Sequence, residues 1–152
     1  MSSYTATIRW SRTGDGDFAK GQYSRAHRWE FDGGVTVPAS ASPHIVPAPW
    51  SDAGGVDPEE AFIASLSSCH MLFFVDFARR DGWIVDKYVD EAEGVLEKRG
   101  DGKMWMSRVI LHPRVTWGGE EPDQSAIADL HHRAHDACFI ANSVTTEVTV
   151  AH

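Results

Sequence analysis

The chain has 152 residues and a formal net charge of −8, and 42% of its residues are hydrophobic and 11% aromatic. This length and composition predict one domain, residues 1–152, with enough apolar side chains for a core. The acidic charge argues against nucleic acid and anionic membrane surfaces as partners. The N-terminus has no secretory pattern, and the two cysteines then indicate the cytoplasm, where a lasting structural disulfide is rare.

The first forty residues favour strands. An alternating strand is predicted over Tyr4–Trp10, a second over Gly21–Phe31 and a short third over Val35–Val37, separated by glycine-rich turns. In the second strand Arg25 shares a face with aromatic side chains, whereas Arg28 lies on the opposite face. Arg25 is therefore the better candidate for a semi-buried functional arginine. The structural alternative is cation–π packing of Arg25 on a neighbouring ring.

The longest apolar segment, Val56–Trp83, predicts a buried central helix after a long proline-rich loop, Pro38–Asp57. Asp57 and Glu60 form a capping-box pattern around Pro58. Glu59 has no capping role. Apolar side chains point in nearly every direction, which indicates a helix covered on all sides, with Cys69 well inside the protein. Polar and charged residues interrupt the apolar run, which argues against a membrane span.

The remaining chain predicts two long strands, about Ile84–Lys98 and Lys103–Thr116, joined by a tight turn at residues 99–102. A second helix follows from Pro122 to Cys138, with one apolar stripe, and a last strand covers Thr145–Val150. This order of elements predicts an α+β fold in which a largely antiparallel sheet is wrapped around the central helix.

Two groups of residues suggest chemistry. Cys69 and Cys138 both lie on helices that contribute to the core, either as a reactive pair supported by a nearby arginine or as small buried hydrophobes. His131, His135 and Cys138 have spacings of four and three along one helical face, which a zinc site would require, with Cys69 and His70 as further ligands. A solvated histidine face explains the same spacing, and no metal is expected.

Four short motifs resemble one known family: Asp57–Glu60 (DPEE), Ser67–His70 (SSCH), Ala134–Cys138 (AHDAC) and Thr146–Val150 (TEVTV). They are similar to the family of osmotically inducible protein C and organic hydroperoxide resistance protein (OsmC/Ohr). The resemblance covers nearly the whole chain. His70 after Cys69 and Phe139 after Cys138 differ from the residues common in the better-known members, which places the chain in a divergent branch.

The resemblance implies a thiol peroxidase that reduces organic and fatty-acid hydroperoxides without a cofactor or metal. It implies an intertwined homodimer that is recycled by a dihydrolipoamide-type dithiol. Cys69 matches the peroxidatic cysteine, Cys138 the resolving cysteine and Glu59 the glutamate that pairs with the catalytic arginine. Arg25 or Arg28 would be that arginine, and Arg25 is preferred. The competing hypotheses are a non-catalytic module that binds a small ligand or metal, and a stress-induced domain without activity.

Helix geometry adds one expectation. Ten residues separate Glu59 from Cys69, and in one straight helix they correspond to a rise of about 15 Å. Both residues can act on one arginine only if the helix is broken between them or if Glu59 and Arg25 come from the partner subunit. The second arrangement is predicted, with the active site at the dimer interface.

Overall fold

The computed structural model describes residues 1–151 as two compact units, Met1–Ala61 and the chain from Phe62 onward. The chain has the predicted α+β composition, with two helices and mainly antiparallel strands. That residues 1–152 form a single domain stays a prediction.

The first unit contains a three-stranded antiparallel sheet in the order β1 (Thr7–Arg9), β2 (His27–Glu30), β3 (Thr36–Ala39). The second strand is shorter than predicted. Residues 18–20 form a 3₁₀ turn that the Asp17 side chain caps, and residues 21–26 are irregular. Before His27 the chain bonds to the long loop instead of to a strand, since the Arg25 amide donates to the Trp50 carbonyl at 2.9 Å. Residues 40–57 form the predicted long loop, tied down by an isolated bridge between Ala39 and Val56.

Helix α1, Pro58–Arg80, begins and ends as the sequence predicts. The Asp57 carboxylate accepts a hydrogen bond from the Glu60 amide at 2.8 Å, and the Glu60 carboxylate accepts one from the Asp57 amide at 3.1 Å. This reciprocal pair is a capping box. At the other end Gly82 has φ +88°, a left-handed conformation that favours glycine and ends the helix. The helix is unbroken between Glu59 and Cys69, so the alternative of a helix broken between them does not occur.

The burial of α1 differs from the expectation of a helix covered on all sides. Its buried residues are Leu66, His70, Phe74 and Ala78, which repeat every four positions and form one stripe. Cys69 is half-buried rather than deep inside, and Leu72 is 62% exposed. By length and a mean hydropathy of 1.6, α1 passes the test for a membrane-spanning helix, which core helices of soluble proteins also pass. In the single chain, part of the apolar surface of α1 is therefore left exposed to solvent.

The second unit also contains two small sheets. One pairs β4 with β7, and the other has the order β5-β6-β8, in which β6 and β8 run parallel. The five strands are β4 (Val85–Asp90), β5 (Glu93–Lys98), β6 (Met104–Leu111), β7 (Pro113–Trp117) and β8 (Glu147–Val150).

Each of the two long predicted strands is divided in two. The turn at residues 99–102 lies where the sequence predicts it, but the strands break after Asp90 and at His112. The Asp90 carboxylate accepts hydrogen bonds from the His112 amide at 2.6 Å and from the Ser67 hydroxyl at 2.5 Å. The Asp90 carboxylate therefore bonds the His112 amide at the point where the chain passes from one sheet to the other.

Helix α2, Gln124–Ala137, completes the second unit, capped by the Asp123 side chain. Phe74 and Ala78 of α1 form a buried cluster with Leu130 and Ala134 of α2, covered by side chains from β4 and β7. Leu66 forms a second cluster with residues of β6, covered by the segment after α2 and by β8. The N-terminal half of α1 therefore packs on one sheet and its C-terminal half on α2 and the other sheet.

The capping box predicts a stability effect. Asp57→Ala removes the acceptor for the Glu60 amide and is expected to lower the free energy of unfolding by about 1 kcal/mol. Asp57→Asn keeps a side-chain oxygen and should lose less. Urea unfolding of the two variants and the wild type measures the difference. Equal losses in both variants would show that the cap contributes through charge alone.

Candidate active site

The two cysteines meet where α2 ends. Cys69 lies in the middle of α1, and Cys138 is the C-terminal cap of α2. The Cys138 thiol lies against the Cys69 side chain, and both residues are free thiols. Cys138 is 1% exposed, whereas Cys69 is half-buried. A reagent from solvent therefore reaches Cys69 first, with Cys138 directly behind it.

A tight turn after α2 fixes Cys138. Its amide donates to the carbonyl of Ala134 at 3.0 Å, and its sulfur accepts from the Ala141 amide at 3.4 Å. The Asn142 side chain donates to the carbonyls of Asp136 at 2.8 Å and of Cys138 at 3.0 Å. The position of the Cys138 thiol is consequently fixed by hydrogen bonds to residues before and after it in the chain.

An ion pair sets the position of α2 against the end of α1. Arg133 of α2 donates two hydrogen bonds to the Asp81 carboxylate, at 2.7 and 3.2 Å. Its guanidinium also lies 4.8 Å from the centre of the Phe77 ring. A bidentate contact of this kind fixes orientation as well as distance. It supports the alignment that places Cys138 against Cys69.

The environment of Cys138 keeps it protonated. Burial raises the pKa of the Cys138 thiol, and its interaction with Cys69 raises it further, to about 11. The Cys138 thiol is therefore protonated near neutral pH, next to the more exposed Cys69 side chain.

An aromatic contact lies beside the sulfur pair. Phe73 is one turn after Cys69 on α1, and Phe139 directly follows Cys138. Their rings meet edge to face, with centroids 5.1 Å apart and planes at 83°. Phe139 is nevertheless 72% exposed, so the side of the cysteine pair that faces solvent is apolar.

Two buried histidines lie between the helices. Nε2 of His70 is 3.0 Å from Nδ1 of His131, and their rings stack with centroids 5.3 Å apart. Burial, together with the nearby His135, lowers the pKa of His70 to about 4. His70 is therefore neutral near pH 7. The prediction of a solvated histidine face is wrong for His131, which is only 7% exposed because it turns toward Phe74 and His70.

Arg25 lies in the first unit, in the irregular segment before β2. Its guanidinium lies over the Tyr23 ring, 3.6 Å from the centroid, which is the predicted cation–π alternative. Nη1 donates to the carbonyls of Gly21 and Tyr23, each at 2.6 Å. Among residues 1–151 it forms no ion pair. Arg28 differs, because its Nε is 3.0 Å from the Glu30 carboxylate.

Glu59 is half-buried in the first turn of α1. Its Oε2 atom is buried and makes no hydrogen bond within the part of the chain that the structure describes. It does not pair with Arg25 of the same chain. A buried carboxylate oxygen without a donor is unfavourable, so this position calls for a cation or donor from outside the single chain.

No group of three or more histidine, cysteine or acidic side chains in residues 1–151 is arranged to hold a metal ion. His131, His135 and Cys138 share one helix as predicted. The His131 side chain is directed toward His70, and the Cys138 thiol toward Cys69. The zinc hypothesis therefore lacks a ligand set in this part of the chain.

Comparisons with known proteins assign the fold. Residues 51–152 match the model of the family described as OsmC-like protein. An OsmC-like protein of unknown function from Vibrio cholerae has a similar structure, with 49% sequence identity, a TM-score of 0.96 and 99% of each chain covered. The chain belongs to the OsmC-like family. A comparison with curated proteins finds no match.

More distant OsmC-like structures share the fold. An organic hydroperoxide resistance protein OsmC from Legionella pneumophila is 18% identical, with a TM-score of 0.68 and 100% of each chain covered. The organic hydroperoxide resistance protein OhrB of Bacillus subtilis is 20% identical, with a TM-score of 0.67, 97% of this chain covered and 96% of that one. These neighbours confirm the predicted fold, and the family match together with the Vibrio cholerae structure confirms the predicted family.

The OsmC-like chain contains two features that the sequence analysis missed. The His70–His131 contact and the Phe73–Phe139 contact both join residues more than sixty positions apart. One sequence signal was available for the first. His70 lies at the same four-residue spacing as Leu66, Phe74 and Ala78, which marks it as a core position.

Protonation of His70 predicts a pH-dependent stability. Between pH 6.5 and about 4 the unfolded chain binds a proton at His70 that the folded chain does not. Stability therefore falls as the pH decreases through this window, by at most about 1.4 kcal/mol per pH unit from this residue. Urea unfolding from pH 7 to 4 is expected to show a shallower slope for His70→Gln. His132→Gln, at an exposed position, is the control; equal slopes for wild type and His70→Gln would contradict the assignment.

Proposed function

We propose that this OsmC-like protein is a thiol-dependent peroxidase that reduces organic hydroperoxides, alkyl or fatty-acid, in cytoplasmic defence against oxidative stress. The main support is the contact between the Cys138 thiol and the Cys69 side chain at the junction of α1 and α2. It joins a half-buried cysteine to a fully buried one. Relatives of the same fold named as organic hydroperoxide resistance proteins agree with this proposal.

The first step takes place on Cys69. Its thiolate attacks the distal oxygen of the hydroperoxide, the O–O bond breaks, and the alkoxide leaves and is protonated to the alcohol. Cys69 is oxidised to the sulfenic acid.

The second step closes the disulfide. The Cys138 sulfur attacks the sulfenic sulfur, water leaves, and a Cys69–Cys138 bond forms. An external dithiol, of the dihydrolipoamide type, then reduces this bond and is itself oxidised to a disulfide. The cycle needs no metal or organic cofactor, since the electrons come from the dithiol.

The active enzyme in this proposal is an intertwined homodimer in which the partner subunit supplies Arg25 and Glu59. Two observations support it. Ala39 is the one buried hydrophobic residue among positions 1–61, whereas eight large hydrophobic residues there are exposed, among them Ile8, Trp10 and Phe18. Glu59 also has a buried oxygen without a donor. Exposed apolar surface of this extent marks an interface.

Mapping the cysteines tests the peroxidase proposal. Reduced protein is treated with one equivalent of tert-butyl hydroperoxide, alkylated under denaturing conditions and analysed by peptide mass. The wild type is expected to lose both thiols and form a Cys69–Cys138 crosslink, and Cys138→Ser to accumulate Cys69 sulfenic acid. If both thiols of the wild type remain alkylated, the cysteines are packing residues and the ligand-binding alternative takes precedence.

Mixed dimers test where Arg25 acts. Cys69→Ser and Arg25→Ala proteins are each expected to be inactive, but a dimer of the two contains one complete site if Arg25 acts across the interface. Random reassociation of equal amounts should recover about a quarter of the wild-type turnover, because half of the dimers are mixed and each has one site. The control is a mixture of Cys69→Ser with Arg28→Ala in place of Arg25→Ala. No recovery in an otherwise dimeric mixture would place Arg25 and Cys69 of one chain together.

A further inference from the structure

The placement of the Phe139 ring is not explained by burial in the core. It is 72% exposed, yet its ring is held edge to face against Phe73, with centroids 5.1 Å apart. Aromatic pairs in this arrangement gain stability beyond the area that they bury. Phe139 directly follows Cys138, and Phe73 lies one helical turn after Cys69. The ring contact therefore joins the two chain segments that hold the sulfur atoms.

Both rings are anchored on their own segments. The Phe139 carbonyl accepts a hydrogen bond from the Ser143 hydroxyl at 2.7 Å, and the Cys138 carbonyl accepts one from the Asn142 amide at 3.0 Å. The Phe73 ring also contacts the Phe77 ring, with centroids 6.0 Å apart. A displacement of Phe139 from Phe73 would thus move the Cys138 segment away from α1.

We propose that Phe139 is a positioning residue: through its contact with Phe73 it holds Cys138 against Cys69, and so favours disulfide formation over further oxidation. The proposal rests on the peroxidase function. Two reactions of the Cys69 sulfenic acid compete. Attack by the Cys138 thiol gives the disulfide and water, whereas a second hydroperoxide molecule gives the sulfinic acid and the alcohol. Only the first depends on where Cys138 lies.

The test uses variants that remove or keep the ring contact. Phe139→Leu and Phe73→Leu each remove one ring while keeping an apolar side chain, and Phe139→Tyr keeps the ring. Ile84→Ala, at another exposed apolar position, is the matched control. Each protein receives a graded excess of tert-butyl hydroperoxide, and intact mass gives the ratio of sulfinic acid to disulfide. The rate at which the Cys69 thiol disappears is followed separately.

The two leucine variants are expected to raise the sulfinic-to-disulfide ratio by roughly 2- to 10-fold, the range that the loss of one aromatic pair corresponds to. The rate of Cys69 oxidation should not change, Phe139→Tyr and Ile84→Ala should match the wild type, and the double leucine variant should be no worse than either single one. An unchanged ratio in Phe73→Leu and Phe139→Leu would overturn the proposal. So would a slower first oxidation with an unchanged ratio, which would indicate substrate binding instead.

A second measurement separates this proposal from the peroxidase proposal. The thiol–disulfide equilibrium of each protein with reduced and oxidised dithiothreitol requires no hydroperoxide. A positioning contact predicts a shift toward the thiols in both leucine variants, again of roughly 2- to 10-fold. If the wild type does not react with hydroperoxide, the peroxidase proposal fails, and this equilibrium alone decides whether Phe139 positions Cys138. Equal equilibria in wild type and variants would then exclude that role.

Discussion

The contact between the Cys138 thiol and Cys69 depends on the packing of two helices, and the proposed chemistry depends on that contact. The stripe of α1 that includes Phe74 and Ala78 packs on Leu130 and Ala134 of α2, and Arg133 ties α2 to Asp81. The C-terminal cap of α2 is thereby brought to the turn of α1 that contains Cys69. Burial of Cys138 follows from the same packing, and it keeps the thiol protonated.

The same burial lowers the reactivity of Cys138. A thiol with a raised pKa is a poor nucleophile at neutral pH, because little of it is thiolate. In the proposed cycle, Cys138 must nevertheless act as the nucleophile in the second step. Proximity would compensate for low reactivity, since a thiol held in contact reacts at a high effective concentration. The hydrogen bonds that fix the turn of residues 138–143 agree with that requirement.

The sequence was most informative where structure is local. The capping box at Asp57, the glycine that ends α1 and the turn at residues 99–102 were all predicted correctly, because each depends on neighbouring residues. Cys69 and Cys138 were identified as a pair through their motifs. The split of the long strands was not predictable, since it depends on Asp90 binding Ser67 and His112, both more than twenty positions away. The inward orientation of His131 was missed for the same reason.

The apolar composition of α1 predicted full burial, and the single chain provides only one covered stripe. Composition indicates how much apolar surface must be buried, but it does not tell whether the same chain or a second one buries it. In the first unit the same imbalance is stronger, because exposed Ile8, Trp10 and Phe18 are matched by a single buried alanine. Burying such side chains contributes about 1.5–3 kcal/mol each. In the proposed dimer, a second copy of the chain would cover this exposed apolar surface.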